Sequence, residues 1–180
     1  MPATRSVDLV GRDAELEELV SRLGITASAP PGGAHGLLLA GDAGVGKTRL
    51  LAELCHRARA DGWQVLTGHC LDLADGSLPY LPFSEILGHV LTDRPEVAAS
   101  VMERHPTLAR LQPGRRVRAA DGADGGRATD QGNVLTAVTD LVAAVAEESP
   151  LLLVVEDAHW ADQSTRDLLS FLLARPAAGR

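Results

Sequence analysis

Apolar positions along this chain recur with two different periods. From Asp13 to Leu23, the residues Leu16, Leu19, Val20 and Leu23 fall at helical spacing, with Glu15, Glu17, Glu18 and Arg22 on the opposite face. Asp13 and the acids behind it suit a helix N-terminus. Leu37-Leu38-Leu39-Ala40 is instead a short continuous apolar run leading into glycines, the pattern of a parallel strand covered on both faces. Leu50, Leu51, Leu54, Cys55 and Ala58 line one face of the next helix, which Gly62 ends. Trp63 to Gly68 reads as a second strand. Helices are predicted from Phe83 to Leu91 and across 96–111, the latter interrupted near Pro106. A further helix is predicted from Val134 to Ala146. Leu151-Leu152-Leu153-Val154-Val155 is the strongest strand and runs straight into Glu156-Asp157. An amphipathic helix from Gln163 to Ala174 carries Leu168, Leu169, Leu172 and Leu173. Residues 26–36 and 112–132 read as loops by composition. Three strands (37–40, 63–67 and 151–155) separated by helices predict an α/β fold with a parallel sheet.

The composition narrows the function classes. At 180 residues, 45% apolar and 23% charged, the chain has the size and balance of one ordinary domain. A net charge of −7 repels phosphate polymers, which argues against a free-standing nucleic-acid binder. No apolar run approaches the ~20 residues of a membrane span, and the N-terminus opens no signal core, so a cytoplasmic protein without a membrane partner is expected. Cys55 and Cys70 form no paired motif and read as reduced thiols. His69 beside Cys70 lacks further ligands at metal-site spacing. Of 17 basic residues, only Lys47 is a lysine.

That lysine sits in the one motif with explicit chemistry. Gly41-Asp42-Ala43-Gly44-Val45-Gly46-Lys47-Thr48 matches G-x-x-x-x-G-K-[ST] in full, with an apolar run before it and a helical pattern after it. Glycines let the backbone bring N–H groups close to an anion, and a helix N-terminus adds unpaired donors and partial positive charge. Lys47 is a slim cation able to reach β- and γ-phosphates, where an arginine fork fits less well. Thr48 offers a hydroxyl to Mg²⁺. Downstream, Glu156 and Asp157 lie where the strongest strand ends, at the carboxyl edge of a parallel sheet, where open α/β folds bind ligands. One acid can position Mg²⁺ through its waters and the other can orient or deprotonate an attacking water. Which does which stays open at this point.

Together these segments resemble the AAA-type ATPase domain of signal-transduction (STAND) P-loop NTPases. They are most similar to the large ATP-binding regulators of the LuxR type and their MalT-like relatives. The resemblance rests on Leu9-Val10-Gly11-Arg12-Asp13 with the acidic helix after it, on Gly41–Thr48, and on Leu151 to Asp162 with its His159-Trp160-Ala161-Asp162 tail. Gly68-His69-Cys70 through Pro79-Tyr80-Leu81-Pro82-Phe83 is similar too. The resemblance implies a three-layer α/β/α P-loop fold and ATP/ADP with Mg²⁺ as ligands. It places Val10, Gly11 and Arg12 near the adenine or ribose, and the phosphates on Gly41, Asp42, Ala43, Gly44, Val45, Gly46, Lys47 and Thr48. The metal falls to Thr48, Glu156 and Asp157 through water, with Glu156 and Asp157 as the catalytic acids. His159 and Trp160 are expected to brace the strand end.

The same resemblance sets the expected organisation. Residues 1–35 form an N-terminal segment carrying the adenine-side motif, and 36–180 a P-loop core. The family's sheet has a further strand, lying between the 37–40 and 151–155 strands and ending in a sensor residue. No such strand is found after the acidic one, so the core is expected to be the front part of the family domain. The expected function is an ATP/ADP switch in a LuxR/MalT-like transcriptional regulator, with weak or no hydrolysis by this chain alone. Nucleotide is the expected ligand, self-association or association with a full-length regulator the expected protein contact, and no DNA-binding module is found in this sequence. A non-catalytic interaction fragment is the alternative. A small-molecule kinase would need an arginine-rich lid, for which Arg115, Arg116 and Arg118 are the only candidates.

Overall fold

The computed structural model describes residues 11–25, 36–72, 78–112 and 124–174, with backbone alone for 124–130. The described elements are α1 (Asp13–Leu23), α2 (Lys47–Ala60), β1 (Gln64–His69), α3 (Leu81–Asp93), α4 (Pro95–Arg104), α5 (Asp124–Ala146), β2 (Leu151–Glu156) and α6 (Gln163–Ala174). A 3-10 segment, Pro106–Leu111, follows α4, and a 3-10 turn, Ala158–Trp160, follows β2. The strands pair in parallel, with Gln64 opposite Leu151 and His69 opposite Glu156. The ladder is extended at each end, since Gln64 N–H donates to Pro150 O (2.8 Å) and Cys70 N–H donates to Glu156 O (3.0 Å).

Period-two alternation divides the core between the two faces of this sheet. Leu152 and Val154 face α1 and α2, packing with Leu16, Leu19, Val20, Ile25, Leu50, Leu54, Cys55 and Ala58. Leu66 packs on the other side with α3, α4, α5 and α6, where Phe83, Leu87, Val101, Leu108, Val138, Leu141 and Leu168 are buried and Leu151 and Leu153 are partly covered. Burying each such side chain is worth about 1.5–3 kcal/mol. The result is a helix-rich α/β sandwich, helices on both faces of a parallel pair, as expected for a P-loop fold.

Several boundaries follow local chemistry. Gly24, at φ +67°, closes α1, and Ile25 N–H reaches back to Val20 O (2.9 Å). Asp162 starts α6: its Oδ1 accepts Thr165 N–H (3.1 Å) and its Oδ2 accepts the Thr165 hydroxyl. The Asp162 of the resemblance motif is therefore a helix cap.

Two expectations change. Leu37–Ala40 is not a strand: it pairs with no strand among the described residues, and Leu38 is 83% exposed. An apolar run becomes a strand only when its N–H and C=O groups find a ladder, and none is provided here. Among the described residues the sheet thus has two strands rather than three. The expected 112–132 loop is helical from Asp124 onward. Once Val134–Ala146 is packed, extending the helix backward adds a hydrogen bond per residue without a new nucleus. Gln131 is held by its Nε2 donating to Asp167 Oδ2 of α6 (2.9 Å). Residues 113–123, with the Arg115, Arg116 and Arg118 cluster, lie outside the described residues, as do most of the 26–36 loop and Val10.

Candidate functional site

The Gly41–Thr48 loop leads directly into α2. Gly44 (φ +78°) and Gly46 (φ +92°) adopt left-handed backbone that glycine alone enters readily. No side chain caps the N-terminus of α2 and no acid occupies its first turn. Its first N–H groups are thereby left to solvent or to an anion. Lys47 Nζ folds back and donates to Gly41 O (2.8 Å) and Asp42 O (2.9 Å), holding its charge over the loop's own carbonyls. Asp42, Ala43 and Val45 are exposed in the turn, and Thr48 is exposed on the first turn of α2. Uncapped helix donors, an ammonium and a hydroxyl together form a donor set that fits a polyphosphate with its metal.

Gly11 (φ +79°) and Arg12 precede α1, and Arg12 Nε pairs with Glu15 Oε2 at 3.3 Å. Helix α1 packs on α2 through the shared core, and Arg57 Nη1 joins Glu17 Oε1 at 2.5 Å. Gly11 and Arg12 therefore lie on an element attached to the helix that the loop starts.

The acidic strand end is more heavily built. Glu156 is half-buried at the last position of β2, opposite His69. Asp157 is exposed, and its φ of +54° turns the chain out of the strand into the 3-10 turn. His69 is held twice by one carboxylate: Glu85 Oε2 accepts the His69 backbone N–H (2.8 Å) and contacts Nδ1 at 2.9 Å. The ring's other nitrogen, Nε2, faces Glu156 Oε1 at 3.7 Å. Glu85 reaches this point because α3 crosses β1 closely at Gly68, where an added Cβ would lie 2.2 Å from Pro82 O. Among the described residues no group of three His, Cys, Asp or Glu side chains is arranged to hold a metal ion, so His69, Glu85 and Glu156 are polar neighbours rather than a ligand set.

Around it, Trp160 is 45% exposed, its ring 4.9 Å from that of His159, and it lines a small crevice with Cys70, Leu71, Leu78 and Pro82. The Trp160 and His159 rings brace each other beside the strand end. Cys70 is buried, and burial pushes its thiol up, with Asp162, Asp157 and Glu85 adding to the effect. The thiol stays protonated at neutral pH and is a poor nucleophile.

The structure thus brings Glu156, His69 and Glu85 together. Among the described residues no hydrogen bond or ion pair joins Lys47 or Thr48 to Glu156 or Asp157. The loop helix and the acidic strand are linked instead by packing of Leu50 and Leu54 with Leu152 and Val154. Sequence reasoning missed Glu85 altogether, and weighed His69 only as a metal ligand. No spacing rule links a carboxylate on a helix to a histidine 16 residues earlier; the link comes from the crossing at Gly68.

The AAA ATPase domain family model matches residues 8–180. An uncharacterised protein of Rhizobium meliloti (strain 1021) is 31% identical over 153 residues, a match spanning 74% of this chain and 14% of that relative. No solved structure matches. The chain belongs to the AAA ATPase domain family.

Proposed function

We propose that this AAA-type P-loop module binds ATP and ADP with Mg²⁺ and serves as the nucleotide switch of a LuxR/MalT-like transcriptional regulator. The observation that carries the binding is the uncapped start of α2 beneath Lys47, whose ammonium rests on Gly41 and Asp42 carbonyls within reach of an arriving phosphate. Residues Gly41 to Thr48 would cradle the phosphates, with Lys47 trading its carbonyl partners for phosphate oxygens. Thr48, with Glu156 and Asp157 through water, would hold the magnesium, which when bound neutralises phosphate charge. Of the adenine-side candidates, Gly11 and Arg12 stand at the start of α1, on the element packed against the loop helix, with Val10 preceding them in sequence.

The division into an adenine-side segment (1–35) and a core (36–180) belongs to the same reading. The regulator role is supported by the resemblance of Val10-Gly11-Arg12 and of Glu156 to Asp162 to that group. Glu156 and Asp157 are the acids that would orient water if the module hydrolyses its nucleotide.

Titration with a fluorescent ATP analogue in Mg²⁺ tests the reading. Lys47→Ala is expected to weaken binding by about 2 kcal/mol, roughly thirtyfold, the worth of a charge-assisted bond to phosphate. A Lys47→Ala chain that binds as the parent does sinks the phosphate-cradle assignment.

A further inference from the structure

The acids of the strand end are not equivalent in this fold. Asp157 is exposed on a left-handed turn, whereas Glu156 still belongs to the ladder, its carbonyl accepting Cys70 N–H at 3.0 Å. Among the described residues, Glu156 rather than Asp157 has a side-chain neighbour that is itself anchored. That neighbour is His69, whose ring is fixed through Nδ1 on Glu85 and whose Nε2 stands 3.7 Å from Glu156 Oε1. The anchoring carboxylate also takes the His69 backbone N–H, so ring and backbone are locked together. Helix α3 can deliver Glu85 there only because residue 68 is glycine, with no side chain to meet Pro82.

We propose that His69, held by Glu85, is a positioning residue that fixes the Glu156 carboxylate as the acid serving the magnesium of a bound nucleotide. The proposal deepens the nucleotide reading above and rests on it. A carboxylate that acts on a metal through water must be held still, and partners one layer out hold it by contacting its free oxygen. The Glu85–His69 pair supplies that hold from β1 and α3, two elements that carry none of the phosphate loop. Asp157, exposed on its left-handed turn, is left to the water.

The test separates this from the phosphate-cradle reading. Affinity for a fluorescent ATP analogue is measured in saturating Mg²⁺ and in EDTA, and the ratio gives the gain due to magnesium. His69→Ala should cut that gain about tenfold, the usual cost of losing a metal ligand's outer partner, while the affinity in EDTA stays at the parent value. Glu85→Ala should cut the gain in the same direction. His69→Gln, whose amide nitrogen falls near Nε2, should restore most of it. His69→Asn keeps a nitrogen for Glu85 but loses the reach to Glu156, and should behave like alanine. Lys47→Ala, by contrast, lowers affinity in both conditions. Thermal melts of each variant check the fold, and His69→Asn carries the test if the alanine variant does not fold. A magnesium gain unchanged in His69→Ala or His69→Asn overturns the proposal, as does a parent with no gain.

Discussion

Leu37-Leu38-Leu39-Ala40 and Leu151-Leu152-Leu153-Val154-Val155 are nearly the same phrase, and each runs directly into candidate site residues. Their surroundings are opposite. The second run is β2: it pairs along its length with β1 and is packed by helices on both faces. The first lies outside the sheet, with Leu38 at 83% exposure and only Leu39 packed against the α1–α2 core. Leucine content does not distinguish them. What does is a neighbour that supplies hydrogen bonds along one edge and helices that cover the faces. Apolar side chains drive burial, but backbone groups decide whether a buried run is admissible.

The sharpest way to break this comparison is to truncate one leucine in each run. Leu152 is 8% exposed and packs under α1 and α2. Leu152→Ala should lower unfolding stability by about 2–5 kcal/mol, the usual cost of a core leucine. Urea denaturation reads this directly as a lower midpoint at unchanged slope. A loss as small as that of an exposed residue would mean that β2 is not packed as described.

A second prediction tests the cover over the sheet. Gly68 lies opposite Val155 in the ladder, and its missing side chain lets α3 approach at Pro82. Gly68→Ala places a methyl group against backbone rather than a yielding side chain, so α3 must shift. About 1–3 kcal/mol of destabilisation is expected, as for other overpacked sites. The same shift should draw Glu85 away from His69, so the His69 ring resonances in NMR should move even where the domain stays folded. An alanine variant with parent stability and unchanged His69 resonances would show that the crossing is looser than the 2.2 Å approach implies.

The pattern of legibility follows the same division between local and assembled features. Helix α1 was readable, Asp13 to Leu23, because its period and its acidic first turn are local signals. Helix α6 was equally plain. The Gly41–Thr48 motif was readable because it is written in consecutive residues. The place of Glu156 and Asp157 at a strand end was readable from the apolar run before them. The Glu85–His69 link was not, since it needs α3 to cross β1 at one glycine. Helix α5 was read too short because its first turns carry glycine and polar residues; the helix is continued by its packed C-terminal half. The 37–40 run failed for the complementary reason: its side chains predict a strand, but pairing is a property of two segments and leaves no mark on one.

The smallest expected effect is therefore the one that tests that last point. Leu38 belongs to no buried cluster among the described residues, and with Gly36 and Leu37 it lines an open crevice beside Arg22 and Leu23. Leu38→Ala removes the same atoms as Leu152→Ala, from the same kind of sequence. It should change stability by no more than about 0.5 kcal/mol, as surface substitutions do. If the two variants are equally destabilised, Leu37–Ala40 is buried in solution and must find a pairing partner there. If they differ by the expected margin, the contrast comes from the ladder and the helices around β2, since the substituted residue is the same.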